Sequence, residues 1–337
     1  MFFSSMPTRV AINGFGRIGR QVFKAGFDNK KIEFVAINDL GDAENLAYLL
    51  AHDSVYGNWP HKVSAKPGML IVDGVKIPVF AEKDPALLPW AKLKVDVAIE
   101  STGRFTDEEG LKKHIAAGAR RAILSAPSKG GGVPTFVRGV NDEKLGKSQI
   151  VNNASCTTNC VAPVTAVITE AFGVLKAGMT TIHSYTADQA LVDGPHKDFR
   201  RGRSAALNMV PTTTGAAIAV TETIPELRGK FDGSSIRVPT PVGSISDFTF
   251  LTRKKTTVEE VNAALVAASK LPRWKGILVC SNEPLVSHDI VGNTASVVVD
   301  LAFTQVIDGD LVKILGWYDN EWGYSHRLIE MVQKMGK

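Results

Sequence analysis

The residues that invite chemistry lie in NNASCTTNC, Asn152 to Cys160, where two of the chain's three cysteines stand four positions apart among Ser, Thr and Asn. Four arrangements compete: a disulfide, a metal clip, a packed pair, or a nucleophile with its support. Cys-x-x-x-Cys is the wrong spacing for a zinc ribbon or a redox C-x-x-C pair, and no other Cys or His supplies an evident second half-site, so no metal is expected. Three unevenly spaced cysteines (Cys156, Cys160, Cys280) make a disulfide framework unsuitable too. Packing or chemistry is left. CTTNCVAPVTAVITEAF (156–172) reads as a helix entered from the strand QIVNN (149–153), with Cys156 in its first turn. There the helix dipole and unpaired N–H groups favour a thiolate and predict a lowered pKa. Cys160, one turn deeper, shares the face without that benefit and is expected to be a packed neighbour. A nucleophilic cysteine needs a base. Among seven histidines, His183 stands at the end of the strand TTIHSYT (180–186), beside Ser184, Tyr185 and Thr186. A lone His in an apolar strand is more often structural, but these polar neighbours favour an imidazole that stabilises the thiolate and shuttles protons.

A second group lies near the N-terminus. Gly14-Phe15-Gly16-Arg17-Ile18-Gly19 directly follows VAIN (10–13) and precedes a helical stretch through Phe23. A lone G-x-G-x-x-G is weak, but here a strand precedes it, a helix follows, and a second strand, IEFVAI (32–37), leads to Asp39. Gly14 permits the tight turn, Gly16 lets the backbone approach a pyrophosphate, and Gly19 lets helix and strand pack closely. The helix N-terminus offers N–H groups to the phosphates. Asp39 is placed to accept hydrogen bonds from the adenosine ribose and to repel a 2′-phosphate, which predicts NAD rather than NADP.

The elements that must position these groups fall into two styles. VDVAIE (95–100) and RAILS (121–125) continue an alternation of strands and helices up to QIVNN, which predicts a mostly parallel sheet. SKGGGVP (128–134) is a loop without the Gly-Lys-Ser/Thr ending of a P-loop. Beyond it come longer strands, SIRVPTPVGSISDFTFLT (235–252), ASVVVDLAFTQVI (295–307) and LVKILGWYD (311–319), the last two joined by a hairpin at Asp308-Gly309. TVEEVNAALVAASK (257–270) and GYSHRLIEMVQKMG (323–336) read as helices. The second half is thus expected to be a mostly antiparallel sheet with helices on one face.

Composition is that of an ordinary globular protein: 337 residues, 44% apolar and 22% charged. The net charge of +5 is scattered, and its densest cluster, KDFRRGR (197–203), carries Asp198 as well. Small anionic substrates fit this better than specific nucleic acid. No apolar run reaches membrane-spanning length, and MFFSSMPTRV is too short for a signal peptide. It reads as a small extension, with Met6 an alternative start and the cytoplasm the default location.

NGFGRIGR (13–20), AIND (36–39), ASCTTNC (154–160), HSYT (183–186), DFRR (198–201), TGAA (214–217), RVPTP (237–241) and WYDNEWGY (317–324) occur in one order. With them the chain resembles the phosphorylating glyceraldehyde-3-phosphate dehydrogenases, from Arg9 essentially to the C-terminus. The resemblance implies an α/β plus α+β fold. A Rossmann NAD-binding domain would span 1–155 with the terminal segment 319–337, and a catalytic domain 156–318. It implies oxidation of glyceraldehyde 3-phosphate through a Cys156 hemithioacetal and thioester, with inorganic phosphate resolving the thioester and His183 as base. Two anion sites follow by the same resemblance: Thr186 and Arg237 for the substrate phosphate, and Ser155, Thr157, Thr214 and Gly215 for the attacking phosphate, with Arg201 between them. Gly14 to Gly19, Asp39, Lys83 and Ser125 would bind NAD, and Asn320 would hold the nicotinamide carboxamide.

The family is tetrameric, and 187–208 matches its S-shaped loop near a neighbouring subunit's cofactor. Two departures stand out: Gly194 in VDGPH (192–196) where many NAD-using members carry Leu, and Lys83 where Arg is frequent. Pro195 is retained and with Asp39 still indicates NAD. The related erythrose-4-phosphate dehydrogenases, which release the acid by hydrolysis, usually alter the HSYT and TGAA regions, both intact here. A moonlighting RNA-binding or scaffold role has no specific support in the residues.

Overall fold

A computed structural model describes residues 6–336; most of the expected N-terminal extension, and Lys337, lie outside the described residues. The chain divides into two compact units. The first runs to Phe136, takes Leu145–Ala154 and resumes at Ser325; the second holds Val137–Lys144 and Ser155–Tyr324.

The first unit contains strands β1 (Thr8–Asn13), β2 (Ile32–Asn38), β3 (Val63–Lys66), β4 (Met69–Val72), β5 (Val75–Phe80), β6 (Val97–Glu100), β7 (Arg121–Leu124) and β8 (Ile150–Asn152), and helices α1 (Arg17–Phe27), α2 (Ala43–Ala51) and α3 (Glu108–Ala116). Their order is β3-β4-β5-β2-β1-β6-β7-β8. Strands β5 to β8 in that order are parallel, while β3, β4 and β5 form an antiparallel meander at one edge. The inner strands are buried along nearly their whole length, as a sheet covered on both faces requires. Two apolar clusters result, one around Phe15, Phe23, Ile37 and Leu328 and one around Trp90, Leu111 and Leu124. The chain leaves β1 for one side of the sheet and returns at β6 on the other, so a crevice opens where Asn13 and Glu100 end neighbouring strands.

The second unit opens with α4 (Cys156–Phe172) and continues through β9 (Val174–Ser184), β10 (Val210–Thr213), α5 (Ala216–Thr223), β11 (Phe231–Val238), β12 (Ser244–Thr252), α6 (Val258–Ser269), β13 (Leu278–Ser281), β14 (Val297–Ile307) and β15 (Leu311–Tyr318); α7 (Trp322–Met335) follows and from Ser325 belongs to the first unit. The sheet order is β10-β11-β9-β12-β15-β14-β13, antiparallel except for the β11/β9 and β13/β14 pairs. Strands β12 and β15 alternate strictly between buried and half-buried residues, and α4 packs on β9, β12, β14 and β15. The segment 235–252 is not one strand. Pro239, Pro241 and Gly243 break it, and Gly243 at φ +94° has no room for a Cβ, which would fall 2.3 Å from the Ser287 carbonyl oxygen. Asp308 and Gly309 both take positive φ, as a tight hairpin between β14 and β15 demands. Helix α6 begins with a capping box between Thr257 and Glu260. None of the described helices is long and apolar enough to cross a membrane.

Candidate active site

In the first unit a cleft of about 470 Å³ is lined by Asn13, Gly14, Gly16, Asn38, Asp39, Leu40, Glu82, Lys83, Ser101, Thr102, Arg104 and Phe105. The glycines carry distinct loads. Gly14 sits at φ +94°, and a Cβ there would lie 2.6 Å from the Thr102 amide. Gly19 would drive a Cβ to 2.1 Å from the Gly14 carbonyl, so it is what lets α1 lie against the turn. A Cβ on Gly16 would meet nothing, because this residue faces the open cleft. No side chain caps α1, which leaves its first-turn N–H groups for an anion. The Asp39 carboxylate accepts from Phe15 N at 2.7 Å and Gly41 N at 2.9 Å, which ties the glycine turn to the end of β2. Phe15 itself is fully buried against Phe23, so its backbone alone serves the turn. Arg17 reaches away to Asp53 at 2.9 Å. Neither Arg17, Ile18 nor Ser125 lines the cleft; Ser125 extends β7, its N–H donating to the Glu100 carbonyl.

The catalytic candidates all belong to the second unit. Ser155 caps α4 by accepting from Thr158 N at 3.0 Å, which places Cys156 in the first turn. Cys156 is partly exposed; Cys160 is buried, its thiol near the Gly316 carbonyl. Cys156 Sγ lies 3.4 Å from His183 Nε2. His183 Nδ1 is 2.7 Å from the Ser184 carbonyl; in the tautomer that donates there, the lone pair is on Nε2 and faces the sulfur. In the parallel β11/β9 pairing Arg237 stands beside His183, with Nη1 2.9 Å from Nδ1 and donating to Ser184 O at 3.1 Å. Its Nε and Nη2 have no hydrogen-bond partner among the described residues. Burial and then the Arg237 charge push the imidazole down to about 3.

The thiol departs from expectation. Burial raises its pKa, although the Arg237 charge and the hydroxyl and amide of Thr157 pull it back. A position at a helix start therefore does not by itself yield a thiolate, because desolvation outweighs the N–H groups.

The remaining candidates surround this pair unevenly. Arg201 donates from Nε to Thr212 Oγ1 (2.8 Å) and from Nη2 to Thr213 O (3.3 Å), and it also pairs with Asp188. Burial is the main cause that lowers the pKa of Arg237, and the Arg201 charge adds to it. Thr214 Oγ1 accepts from Ala216 N, and Gly215 opens α5 without a side-chain cap. Thr186 is half-buried, its N–H pointing at Gln189 Oε1 (3.4 Å). Asn320 Oδ1 accepts from Gly243 N (3.2 Å) and Ser244 Oγ (3.0 Å), which leaves its NH2 as the donor. Thr157 turns inward, with Oγ1 2.9 Å from the buried Tyr318 hydroxyl, which also meets Thr181 Oγ1 at 2.8 Å. Tyr318, whose ring also lies edge-on to His183, has no role in the sequence reading, although it sits inside WYDNEWGY.

Comparison with known proteins decides between chemistries. Residues 8–108 match the family model for the glyceraldehyde 3-phosphate dehydrogenase NAD binding domain, and residues 155–320 match that for its C-terminal domain. Glyceraldehyde-3-phosphate dehydrogenase of Geobacillus stearothermophilus is 52% identical over 328 residues, 97% of each chain. Glyceraldehyde-3-phosphate dehydrogenase 1 of Bacillus cereus is 51% identical over 330 residues, 97% of this chain and 98% of its own. The enzyme of Borreliella burgdorferi is 50% identical over 336 residues, 98% and 100% of the two chains. The chain belongs to the glyceraldehyde-3-phosphate dehydrogenase family. It is an NAD-dependent oxidoreductase acting on an aldehyde, with a Rossmann domain followed by a catalytic domain. The residues of the first unit fit NAD. The uncapped α1 start suits a pyrophosphate, the open side of Gly16 admits close approach, and Asp39 holds a carboxylate at the end of β2.

Proposed function

We propose that the chain converts D-glyceraldehyde 3-phosphate and inorganic phosphate to 1,3-bisphosphoglycerate, with Cys156 as nucleophile and His183 as base. The observation that carries this is the 3.4 Å approach of Cys156 Sγ to Nε2 of His183. Nε2 takes the thiol proton as sulfur attacks the aldehyde carbon, then returns it to the new alkoxide to give a hemithioacetal. Bound NAD supplies the hydride acceptor. His183 removes the hemithioacetal hydroxyl proton as the carbon is oxidised, which leaves a thioester on Cys156. Phosphate oxygen then attacks the thioester carbon, and the departing sulfur recovers a proton from His183. Arg237, with Nε and Nη2 unengaged, and Thr186 would anchor the substrate phosphate. Ser155, Thr214 and Gly215, at the starts of α4 and α5, would meet the attacking phosphate, with Thr157, whose hydroxyl turns inward to Tyr318, offering its backbone N–H and with Arg201 serving both sites. The Asn320 NH2 would orient the nicotinamide carboxamide.

NADH formation from glyceraldehyde 3-phosphate, with and without inorganic phosphate or arsenate, tests the proposal. Turnover that requires either anion supports it. Sustained turnover in water alone would mean hydrolysis of the thioester and a different product. A homotetramer is part of the same proposal, supported by the exposure of Leu191, Val192, Phe199, Leu207 and Met209 within or beside the S-shaped loop segment. Cytoplasmic residence is supported by chemistry that needs Cys156 reduced.

A further inference from the structure

Beneath the cleft of the first unit lies a polar network with no direct part in the chemistry above. Neighbouring strands β2, β1 and β6 end in VAIN (35–38), VAIN (10–13) and VAIE (97–100): one apolar triplet followed by Asn, Asn and Glu. The β1/β6 register sets Asn13 beside Glu100. Glu100 and His114 are both 0% exposed, and among the described residues no Lys or Arg pairs with the carboxylate.

Four donors satisfy it instead. Oε2 accepts from Asn13 Nδ2 (2.6 Å) and from His114 Nε2 (3.0 Å), and Oε1 from Thr102 N (2.8 Å) and Thr102 Oγ1 (2.5 Å). The donor assignment is forced. Trp90 Nε1 can only donate, and it points at His114 Nδ1 at 3.1 Å, so the imidazole proton sits on Nε2, facing Glu100.

The consequence reaches the wall of the cleft. With its NH2 committed to Glu100, Asn13 must turn Oδ1 toward Asn38, which donates to it at 2.7 Å. That fixes the Asn38 amide in turn, whose Nδ2 donates to Glu82 O (2.9 Å) and whose Oδ1 accepts from Glu82 N (2.8 Å). Asn13, Asn38, Glu82 and Thr102 all line the cleft; Glu100 does not. We infer that Glu100 is a positioning residue for NAD binding: an acceptor-only group, locked by His114 and Trp90, that fixes the amide orientations of Asn13 and Asn38 and the backbone of Thr102 and Glu82. The inference rests on the assignment of this cleft to NAD.

Glu100→Gln keeps size and shape but turns one oxygen into a donor. If the NH2 takes the Oε1 place it opposes Thr102 N–H, which cannot rotate away. If it takes the Oε2 place, Asn13 must flip, and its NH2 then opposes Asn38 Nδ2. Either way the mismatch passes to the cleft wall.

Equilibrium binding of NAD by calorimetry, on parent, Glu100→Gln, Asn13→Ala and the double variant, tests this. Glu100→Gln is expected to weaken NAD roughly tenfold or more, the loss of a charged hydrogen bond at a buried site. The alkylation rate of Cys156 should stay at the parent value. The double variant should lose less than the sum of the two single losses, since Glu100 acts in part through Asn13. Thr102→Val, which removes one of the four bonds and keeps the shape, should give a smaller loss and serves if Glu100→Gln does not fold. Unchanged NAD affinity in these variants, additive losses in the cycle, or a matching fall in Cys156 reactivity would overturn the inference. A parent chain that does not bind NAD would overturn the cofactor assignment and this inference with it.

Discussion

Arg237 acts on both members of the catalytic pair, in opposite senses, and distance decides which wins. Its Nη1 is 2.9 Å from His183 Nδ1, whereas Cys156 Sγ lies beyond the ring, 3.4 Å from Nε2. At an effective dielectric of about 20, a charge roughly 5 Å from an imidazolium costs it about 3 kcal/mol, and one roughly 8 Å from a thiolate, as on the far side of an imidazole ring, favours it by about 2. The net effect of about 1 kcal/mol, close to one decade, opposes the thiolate–imidazolium form. Arg237→Met therefore makes that ionised pair easier to reach, even though it removes a cation from beside a sulfur. The assay is alkylation of Cys156 by iodoacetamide between pH 5 and 8, where only the ionised sulfur reacts appreciably. At pH 6 the variant should react roughly tenfold faster than the parent. Its aldehyde oxidation should nevertheless fall, through a higher KM for the phosphorylated aldehyde, because the guanidinium fork is gone. Slower alkylation in the variant would show that Arg237 chiefly serves the sulfur, and the order of the two effects would be wrong. A substrate phosphate bound at Arg237 should act in the same direction as the substitution, so substrate itself would ready the nucleophile.

Asp39→Ala should lower the preference for NAD over NADP by about 1–3 kcal/mol, and it should weaken both cofactors, because Phe15 N and Gly41 N lose their acceptor. An unchanged ratio of the two affinities would show that Asp39 does not read the ribose. His183, held down to about 3, and His326, down to about 4 by burial, refuse protons that the unfolded chain accepts near 6.5. Since the unfolded state then binds more protons, stability should be level above neutral pH and fall steadily as pH drops from 6.5 toward 4. A Tm that does not change over that range would contradict this. Tyr318→Phe strips the partner from two hydroxyls, those of Thr157 and Thr181, and should cost about 1–3 kcal/mol in urea unfolding. A cost below about 0.5 kcal/mol would mean those hydroxyls find other partners.

Local signals carried much of the molecule. Helix α4 runs from Cys156 to Phe172 as its pattern predicts, and the glycine turn, the Thr257 cap and the Asp308-Gly309 hairpin are where their residue types require. The meander of β3, β4 and β5 is missing from the sequence reading, because its strands are short and interrupted by Pro67-Gly68 and Asp73-Gly74, which look like continuous loop. Both glycines take positive φ, as does Asp73, so these pairs were turn signals in their own right. Long-range partners were the harder matter. Asn13 meets Glu100 across 87 positions, and Thr157 meets Tyr318 across 161, and nothing in local pattern announces either contact. The thiol was misjudged for a related reason: a helix start is visible in sequence, whereas the packing that desolvates Cys156 is not.

The most direct measurement is mass spectrometry of the chain mixed with glyceraldehyde 3-phosphate and NAD in phosphate-free buffer, followed by digestion and mapping of the three cysteines. The account predicts one acyl adduct, on Cys156, that persists in water and is discharged as an acyl phosphate when inorganic phosphate is added. Absence of an adduct while NADH forms, or an adduct on Cys160 or Cys280 instead, would contradict it.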